Sequence, residues 1–386
     1  MMRPRVYLDH NASMPLRAAA KAAMIEALDV IGNPSSVHAE GRRVRQLIDG
    51  ARRDVAALVG ADPARLVFTS GATEGAMTLL TPHWTMGRAS LLFSRLYVGA
   101  SEHPCVANGG RFAAEQVSVI PVGTDGVIDL AALQVLLQAH DHAAGLPLVA
   151  VQAANNETGV VQPVEEITAI VRAAKGTLIV DAVQAAGRLP IDLDAGFGDY
   201  LILSAHKIGG PKGVGAIASS SDVLMPAPLI RGGGQERGHR GGTENFSGIV
   251  GFGAAAREAL GEIPQMPELE EQRQALEAEI VQLVPDAVIH GMTAAKRLPN
   301  TIFFTIPGMK TETAQIAFDL AGIALSAGSA CSSGKVGASA VLSAMGWDGE
   351  GALRVSFAPA TSAQDLAQFT NALGTLAARR TGRNAA

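Results

Sequence analysis

The sequence predicts an α/β protein with a mostly parallel sheet flanked by helices. Two observations support this fold class. Short apolar runs bounded by polar or glycine-rich turns recur along the chain, and helical patterns separate most of them. Because strands and helices alternate, successive strands are expected to run parallel with helices on both faces. The clearest helix covers residues 39–59, and the predicted strands are 66–68, 148–151, 178–180, 200–203 and 214–217.

The pattern changes after a long helical stretch at 245–260. The segment 263–271 that follows is rich in proline and glutamate, which is typical of a domain boundary. We therefore predict a large domain at 15–262 and a smaller α+β domain formed by 1–14 and 263–378. Residues 379–386 are expected to form a loose tail. The elements predicted for the small domain are helices at 267–283 and 311–321, strands at 300–304 and 353–357, and a closing helix.

Composition excludes several classes of protein. The chain has 386 residues, a formal net charge of -5 and a pI near 6.0, which argue against binding nucleic acid through the overall field. No apolar stretch reaches ~18 residues without a charge or turn signal, and the N-terminus lacks a signal-peptide pattern, so a cytoplasmic protein is expected. Arginines at 42, 43, 45, 52 and 53 form one basic run, predicted to be a solvated helix face or a subunit contact.

The two cysteines lie far apart, which disfavours a disulfide framework or a cysteine-rich metal site. Cys331 is surrounded by small residues at 326–339, a setting that suits a nucleophile on a moving loop. Cys105 follows a proline at a predicted helix start and is expected to be structural. His140 and His142 are the closest histidine pair, and no third ligand lies near them in the sequence, so no metal is expected.

Candidate chemical residues follow the predicted strands. Lys207 lies in a glycine-rich turn after an apolar strand, where a partly desolvated amine could attack an aldehyde. Taken by itself, however, a lysine at such a position is more often an ordinary surface residue. Asp181 ends a buried strand, at the sheet edge where ligands bind in such folds, although an aspartate there also caps helices. The segment 68–75 reads as strand, turn and helix start, an arrangement that can bind phosphate.

Ten motifs, in order from Tyr7 to about Phe357, resemble those of bacterial cysteine desulfurases. These enzymes form part of the class V aminotransferase group of fold-type I pyridoxal-phosphate (PLP) enzymes. The resemblance therefore implies PLP as cofactor and a large domain with a smaller C-terminal one. The motifs are YLDHNASMP, GNPSSVHAEGR, FTSGATEG, SEHP, NNETGVVQP, VDAVQAAGRLPID, LSAHKIGGPKGVG, GGGQERGHRGGTEN, SAGSACSSG and LRVSF.

The resemblance also implies a role for individual residues. Lys207 would hold the cofactor covalently and Asp181 would pair with its ring nitrogen, keeping it protonated. His103 would stack on the ring. Asn156 and Gln184 would bind the phenolic oxygen; Ala72, Thr73, Ser204 and His206 would bind the phosphate, joined by Thr243 from a neighbouring subunit; Arg354 and Asn33 would bind the substrate.

The implied reaction converts L-cysteine to L-alanine and leaves its sulfur on Cys331 as a persulfide. His103 would take the thiol proton. A sulfur acceptor, such as an iron–sulfur scaffold or a sulfur-carrier protein, would then receive the sulfur from a homodimeric enzyme. Two alternatives stay open: another PLP reaction, such as selenocysteine lysis or aminotransfer, and a non-catalytic sulfur-relay subunit. Retention of Lys207, Asp181, His103 and Arg354 favours an enzyme.

Overall fold

The computed structural model describes residues 5–328 and 339–384. Its α-helices are α1 (Ala18–Leu28), α2 (Ala39–Leu58), α3 (Ala72–Leu79), α4 (Pro104–Ala107), α5 (Leu130–Gln138), α6 (Val164–Ala173), α7 (Phe246–Glu262), α8 (Met266–Leu283), α9 (Thr311–Leu320), α10 (Ala340–Ala344) and α11 (Ala363–Asn384). Its strands are β1 (Val6–Tyr7), β2 (Leu66–Thr69), β3 (His83–Met86), β4 (Ala89–Gly99), β5 (Val117–Ile120), β6 (Leu146–Gln152), β7 (Thr177–Asp181), β8 (Tyr200–Ser204), β9 (Gly215–Ser219), β10 (Leu224–Pro226), β11 (Val288–Ile289), β12 (Thr301–Thr305), β13 (Ile323–Ala324), β14 (Ser326–Ala327) and β15 (Leu353–Ser356).

A large sheet dominates the molecule, in the order β10-β3-β4-β6-β7-β8-β9-β2, with β5 also paired to β4. The central strands β4, β6, β7 and β8 are parallel, which confirms the predicted fold class. Strand β9 is antiparallel to both of its neighbours. Only residues 205–214 join β8 to β9, too short a connection for the crossover that a parallel pair requires, so the chain must turn back directly.

Burial of both sheet faces explains why the central strands are continuous apolar runs. Every residue of β7 and β8 is buried, because helices cover the sheet on both sides. On one face, Val44 and Val55 of α2 belong to the same apolar core as Phe252 of α7. The two helices approach closely at Gly253, where an added Cβ would lie 2.6 Å from the Cα of Ala51.

The hairpin of β3 and β4 extends the sheet and was not predicted. Gly87, with φ +60°, lies in the tight turn between the two strands. The strands have exposed and polar positions among their apolar residues, so they lack the continuous apolar runs of the buried strands. Trp84 anchors the hairpin through edge contacts with Phe93 and Tyr200.

The C-terminal part of the chain builds a second, smaller sheet in the antiparallel order β11-β12-β15-β14. The N-terminal strand β1 pairs with β13 beside it. Val6 and Leu8 accordingly belong to a second apolar core with Phe304, Phe318 and Phe369. The N-terminal residues therefore pack against elements that are more than 300 residues away in the sequence.

One expectation about a charged segment was wrong, and a second was wrong at one residue. The final helix α11 continues to Asn384, so residues 379–384 are helical instead of forming a loose tail. Arg379 and Arg380 favour helix, as do the preceding Ala377 and Ala378, and Arg380 pairs with Asp286. Within the basic run, Arg52 is buried and forms a bidentate ion pair with Glu236 at 2.7 and 2.8 Å. Arg52 is therefore not part of a solvated face. Its ion pair connects the segment around Glu236 to α2.

No helix within residues 5–328 and 339–384 combines the length and apolar character that crossing a membrane requires.

Candidate active site

A cavity of about 640 Å³ opens at the carboxyl ends of the central strands, bounded by the turn after β8 and the start of α3. Parallel strands expose ligand-binding loops at this edge. Of the thirteen predicted site residues, ten line the cavity: Ala72, Thr73, His103, Asn156, Asp181, Gln184, Ser204, His206, Lys207 and Arg354. The sequence motifs therefore identified residues that the fold brings together from distant parts of the chain.

The turn between β8 and β9 places Lys207 in the cavity wall. Its Nζ donates to the carbonyl oxygens of Asn11 and Ala12, at 2.7 and 3.0 Å. The turn itself is held from behind by two arginines, since Arg188 donates to the Lys207 carbonyl and Arg17 to the carbonyl of the next residue. Lys207 is thus a positioned cavity amine, which excludes the alternative of an ordinary surface lysine.

Asp181 ends β7 and is buried in the cavity floor. Burial raises its pKa to about 6, although a hydrogen bond from the Val183 amide (3.0 Å) and the charge of Lys207 act in the opposite direction. Burial disfavours the isolated carboxylate. A cationic partner in the cavity would therefore stabilise the ionised form of Asp181.

A second buried carboxyl, Glu102, lies near Asp181 and was missed in the sequence analysis. Burial raises its pKa well above the usual range, the amide of Gln152 donates to its Oε1 (3.0 Å), and the charge of Asp181 raises the pKa further. Its Oε2 is buried and has no hydrogen-bond partner among the described residues. Burial therefore favours the protonated form of Glu102, while the charge of Lys207 favours the ionised form of Asp181. The place of Glu102 directly before His103 in the SEHP motif was the available signal.

His103 lies in the cavity wall at the start of α4. Its Nδ1 is 3.3 Å from the Cys105 amide, which can only donate, so the neutral ring carries its hydrogen on Nε2. Burial and the charge of Lys207 lower its pKa, which favours this neutral form. The Cys105 sulfur lies 3.0 Å from the same Nδ1 and also lines the cavity. Cys105, expected to be only structural, thus contacts the predicted catalytic histidine.

The other end of the cavity offers hydrogen-bond donors. Helix α3 begins at Ala72, and the first amides of a helix have no partner within it. Glu74 shapes the preceding turn by accepting from the Ser70 amide (2.8 Å) and from Arg240 (3.1 Å). Burial and the charges of two lysines lower the pKa of His206 to about 4, so its ring is neutral. These groups suit a phosphate.

Arg354 enters the cavity from β15 of the small sheet. Its Nη2 contacts Asp9 at 2.6 Å and Ser326 at 3.1 Å, and its Nη1 donates to the Asn156 carbonyl at 2.9 Å. The buried Nε has no partner among the described residues. Asp9, which the sequence analysis did not single out within its motif, therefore fixes the guanidinium from the N-terminal segment.

Three predicted site residues are not brought into this cavity. Asn33 is exposed, and its Oδ1 accepts from the Ser35 amide. Thr243 is also exposed and lies outside the cavity of its own chain. Cys331 falls outside the described residues.

The histidine pair has structural hydrogen bonds. His140 contacts the Tyr97 hydroxyl and the Gly145 carbonyl, both at 3.0 Å. The described part of the chain contains no group of three or more His, Cys, Asp or Glu residues arranged to hold a metal ion.

The fold and the cavity define the fold-type I class of PLP enzymes. The chain belongs to the class V aminotransferase family, whose model matches residues 6–369. It is 38% identical to a cysteine desulfurase of Frankia sp. (strain EuIK1), over 94% of this chain and 88% of that protein. Its fold matches a NifS-like protein from Rickettsia africae ESF-5 with a TM-score of 0.85 and 32% identity, covering 96% and 99% of the two chains. It also matches SspA in complex with cysteine with a TM-score of 0.73 and 27% identity, covering 92% and 100%.

Members of this family depend on PLP, and the cavity fits that group. Asp181 is a buried carboxylate that a protonated ring nitrogen would neutralise. Gly71 and Gly213 border the donor-rich end, and an added Cβ at either position would meet no atom within 4 Å. These glycines leave the space beside the amides open. A phosphate can therefore approach the start of α3 closely.

The raised pKa of Asp181 predicts a specific effect on stability. The pKa in the folded protein is about 6 against an ordinary value of 3.8, so the wild type loses stability as the pH rises through this interval. Asp181→Asn should therefore stabilise the cofactor-free protein by up to about 3 kcal/mol at about pH 8. This gain should shrink between about pH 6 and pH 4, where Asp181 becomes protonated in the folded state, and vanish below its ordinary pKa of 3.8, where both states are protonated. Urea denaturation at several pH values measures it.

The control for this experiment is Asp222→Asn at an exposed position, which should change stability by less than about 0.5 kcal/mol at every pH. An Asp181→Asn protein that is less stable than the wild type at about pH 8 would contradict the assigned cost of burying this carboxylate.

Proposed function

We propose that this protein is a PLP-dependent cysteine desulfurase, which converts L-cysteine to L-alanine and transfers the sulfur to Cys331. One observation carries the proposal. Lys207, Asp181 and Arg354 converge on one cavity, in a chain that is 38% identical to a cysteine desulfurase. The similar SspA structure is a complex with cysteine, and the carboxylate of a cysteine in this cavity would have Arg354 as its partner.

Each end of the cavity would hold a different part of the cofactor. Lys207 supplies the amine for a covalent link, and Asp181 supplies the counter-charge for the ring nitrogen. Bound PLP supplies an electron-accepting ring that weakens bonds at the amino-acid Cα. His103 would stack on the ring, Asn156 and Gln184 would bind its phenolic oxygen, and Ala72, Thr73, Ser204 and His206 would bind the phosphate.

The protein itself supplies recognition and proton transfer. Arg354 would bind the substrate carboxylate, and Asp9 together with the Asn156 carbonyl holds its guanidinium in place. His103 is neutral with Nδ1 as its unprotonated ring nitrogen, so it can first accept a thiol proton and then donate a proton from the charged ring. The pKa lowered by burial and by Lys207 keeps the ring in this exchangeable state.

The sulfur transfer balances without an external oxidant. A bond forms between the Cys331 sulfur and the substrate sulfur while the carbon–sulfur bond of the substrate breaks. The carbon is reduced and gains a proton, which gives alanine, and the two sulfurs are oxidised to the persulfide. The proton released by the Cys331 thiol equals the proton that the carbon gains, and His103, which lines the cavity, would pass it.

Replacing Cys331 tests this step. Cys331→Ser removes the soft nucleophile and leaves the ten cavity residues unchanged. The variant should bind PLP as the wild type does, and its visible absorbance should still change when cysteine is added. It should release less than ~1% of the wild-type alanine and carry no persulfide, because the sulfur has no acceptor. Alanine release and intact-protein mass spectrometry measure these outcomes.

The matched control is Cys105→Ser, which keeps Cys331 and should still form the persulfide. If Cys331→Ser released alanine at the wild-type rate, the sulfur would be leaving by another route and the proposal would be wrong.

A panel of cysteine, selenocysteine and cysteine sulfinate separates desulfuration from selenocysteine lysis, while formation of a keto acid from cysteine would indicate aminotransfer. A protein that binds PLP but releases neither sulfide nor alanine would be a relay subunit.

We also propose that the protein acts as a homodimer in which Thr243 serves the partner's cofactor site. Thr243 is exposed, so a partner subunit could contact it. The loop that carries it is held in place by the buried ion pair of Arg52 and Glu236. Apolar side chains that a partner could cover are exposed on and after α1: Ile25, Leu28, Ile31 and Val37.

A second kind of partner would receive the product. We propose that a sulfur acceptor, such as an iron–sulfur scaffold or a sulfur carrier, takes the sulfur from the Cys331 persulfide.

Mixed dimers test the shared site. Coexpression of Lys207→Ala and Thr243→Ala subunits with different tags yields dimers with one intact site and one doubly damaged site. Purified mixed dimers should keep about half of the wild-type activity. Each mixed dimer retains one complete site, in which the Thr243→Ala subunit supplies Lys207 and the Lys207→Ala subunit supplies Thr243. Complete inactivity of these dimers, with both parent variants impaired, would rule out the exchange of Thr243 between subunits.

A further inference from the structure

Arg188 is a buried cation without a carboxylate partner. Its side chain forms no ion pair among the residues that the structure describes, and the residue is 7% exposed. Burial and the neighbouring charges of Arg354 and Arg17 lower its pKa to about 10, which still leaves it charged. Burying an unneutralised charge is costly, so the hydrogen bonds of Arg188 must compensate for it.

These hydrogen bonds all go to residues of the cofactor cavity. Nη1 of Arg188 donates to the main-chain oxygen of Gln184 at 2.8 Å and to its side-chain Oε1 at 3.1 Å. Nη2 donates to the carbonyl oxygen of Lys207 at 3.2 Å. One guanidinium therefore joins the predicted amide ligand of the cofactor to the lysine that would hold it.

The contacts of Arg188 determine which way the Gln184 amide faces. A guanidinium only donates hydrogen bonds, so the amide atom beside it must be the oxygen. On the other side, the amide nitrogen donates to the main-chain oxygen of Asn11 at 3.1 Å, and a carbonyl only accepts. The second hydrogen of that nitrogen has no other partner among the described residues, while Gln184 lines the cavity.

We propose that Arg188 is a positioning residue for the cofactor, which holds the Gln184 amide so that Gln184 offers the cavity an N–H donor and not a carbonyl oxygen. This inference rests on the proposed PLP site. The phenolic oxygen of PLP is an acceptor when ionised, so it is matched by an N–H and repelled by an oxygen. Arg188 also ties this donor to the Lys207 main chain, which fixes the spacing between the two ligands.

The geometry explains why arginine suits this position. The planar guanidinium reaches three oxygens on two segments at once, whereas a lysine ammonium is a single point of contact on a flexible chain. Arg188→Lys keeps the charge but cannot make all three contacts together. It should therefore retain the fold and lose part of the amide orientation.

A double-mutant cycle on cofactor affinity tests the proposal. Cofactor-free wild type, Arg188→Met, Gln184→Met and the double variant are titrated with PLP, and the dissociation constant and the visible absorption maximum are recorded for each. Arg188→Met should weaken binding by about tenfold, the effect of one lost hydrogen bond, and shift the absorption maximum. In the Gln184→Met background the same change should weaken binding less than about twofold, because the amide it positions is gone.

Two results would overturn the inference: an unchanged dissociation constant in Arg188→Met, or an equal loss with and without Gln184. Arg188→Lys takes the place of Arg188→Met in the same cycle if the methionine variant does not fold, and a smaller loss of the same non-additive kind is then expected. Urea denaturation of each cofactor-free protein identifies effects of general stability. Failure of the wild type to bind PLP would instead contradict the proposed function, so the two claims fail separately.

Discussion

The direct return of the chain from β8 to β9 is the constraint on which the site depends. Residues 205–214 leave no room for a crossover helix, so this glycine-rich connection stays at the carboxyl edge of the sheet and holds Lys207 there. The neighbouring strand β7 ends at Asp181, which pairs in register with Ile202 of β8. The amine and the carboxylate are therefore brought to one cavity by two adjacent parallel strands.

Other parts of the chain complete this arrangement from a distance. The N-terminal segment passes over the turn, and its Asn11 and Ala12 carbonyls accept from Lys207. The same segment reaches the small sheet, where Asp9 contacts Arg354. The end of β7, the turn between β8 and β9 and the N-terminal segment together form walls of the cavity. The shape of the cavity therefore depends on the packing of both sheets.

Burial gives each titratable group of the cavity a distinct state. Burial favours the protonated form of Glu102, and Asp181 is the carboxylate that a cation would stabilise, although both are buried. His103 and His206 have lowered pKa values and remain neutral, which suits proton transfer for one and hydrogen bonding to phosphate for the other. Such differences among similar groups are typical of active sites.

Sequence patterns predicted the features that depend on local signals. The strands that became β6, β7 and β8 are continuous apolar runs, and α2 shows clear helical periodicity, so both were found. The β3–β4 hairpin lacks those runs and was missed. Motifs identified the cavity residues, but the roles of Glu102, Cys105 and Arg188 depend on neighbours that only the folded chain supplies. Arg52 was misread for the same reason, since its partner Glu236 lies 184 residues away.

The most direct test of this account is to identify the lysine that holds the cofactor. Borohydride reduction of the PLP-loaded protein, followed by digestion and mass spectrometry, marks the lysine that carries the pyridoxyl group. The account predicts that the label is on Lys207, the amine held by the Asn11 and Ala12 carbonyls. Lys212 also lines the cavity and provides an internal comparison. A label on Lys212, or none on Lys207, would contradict the account.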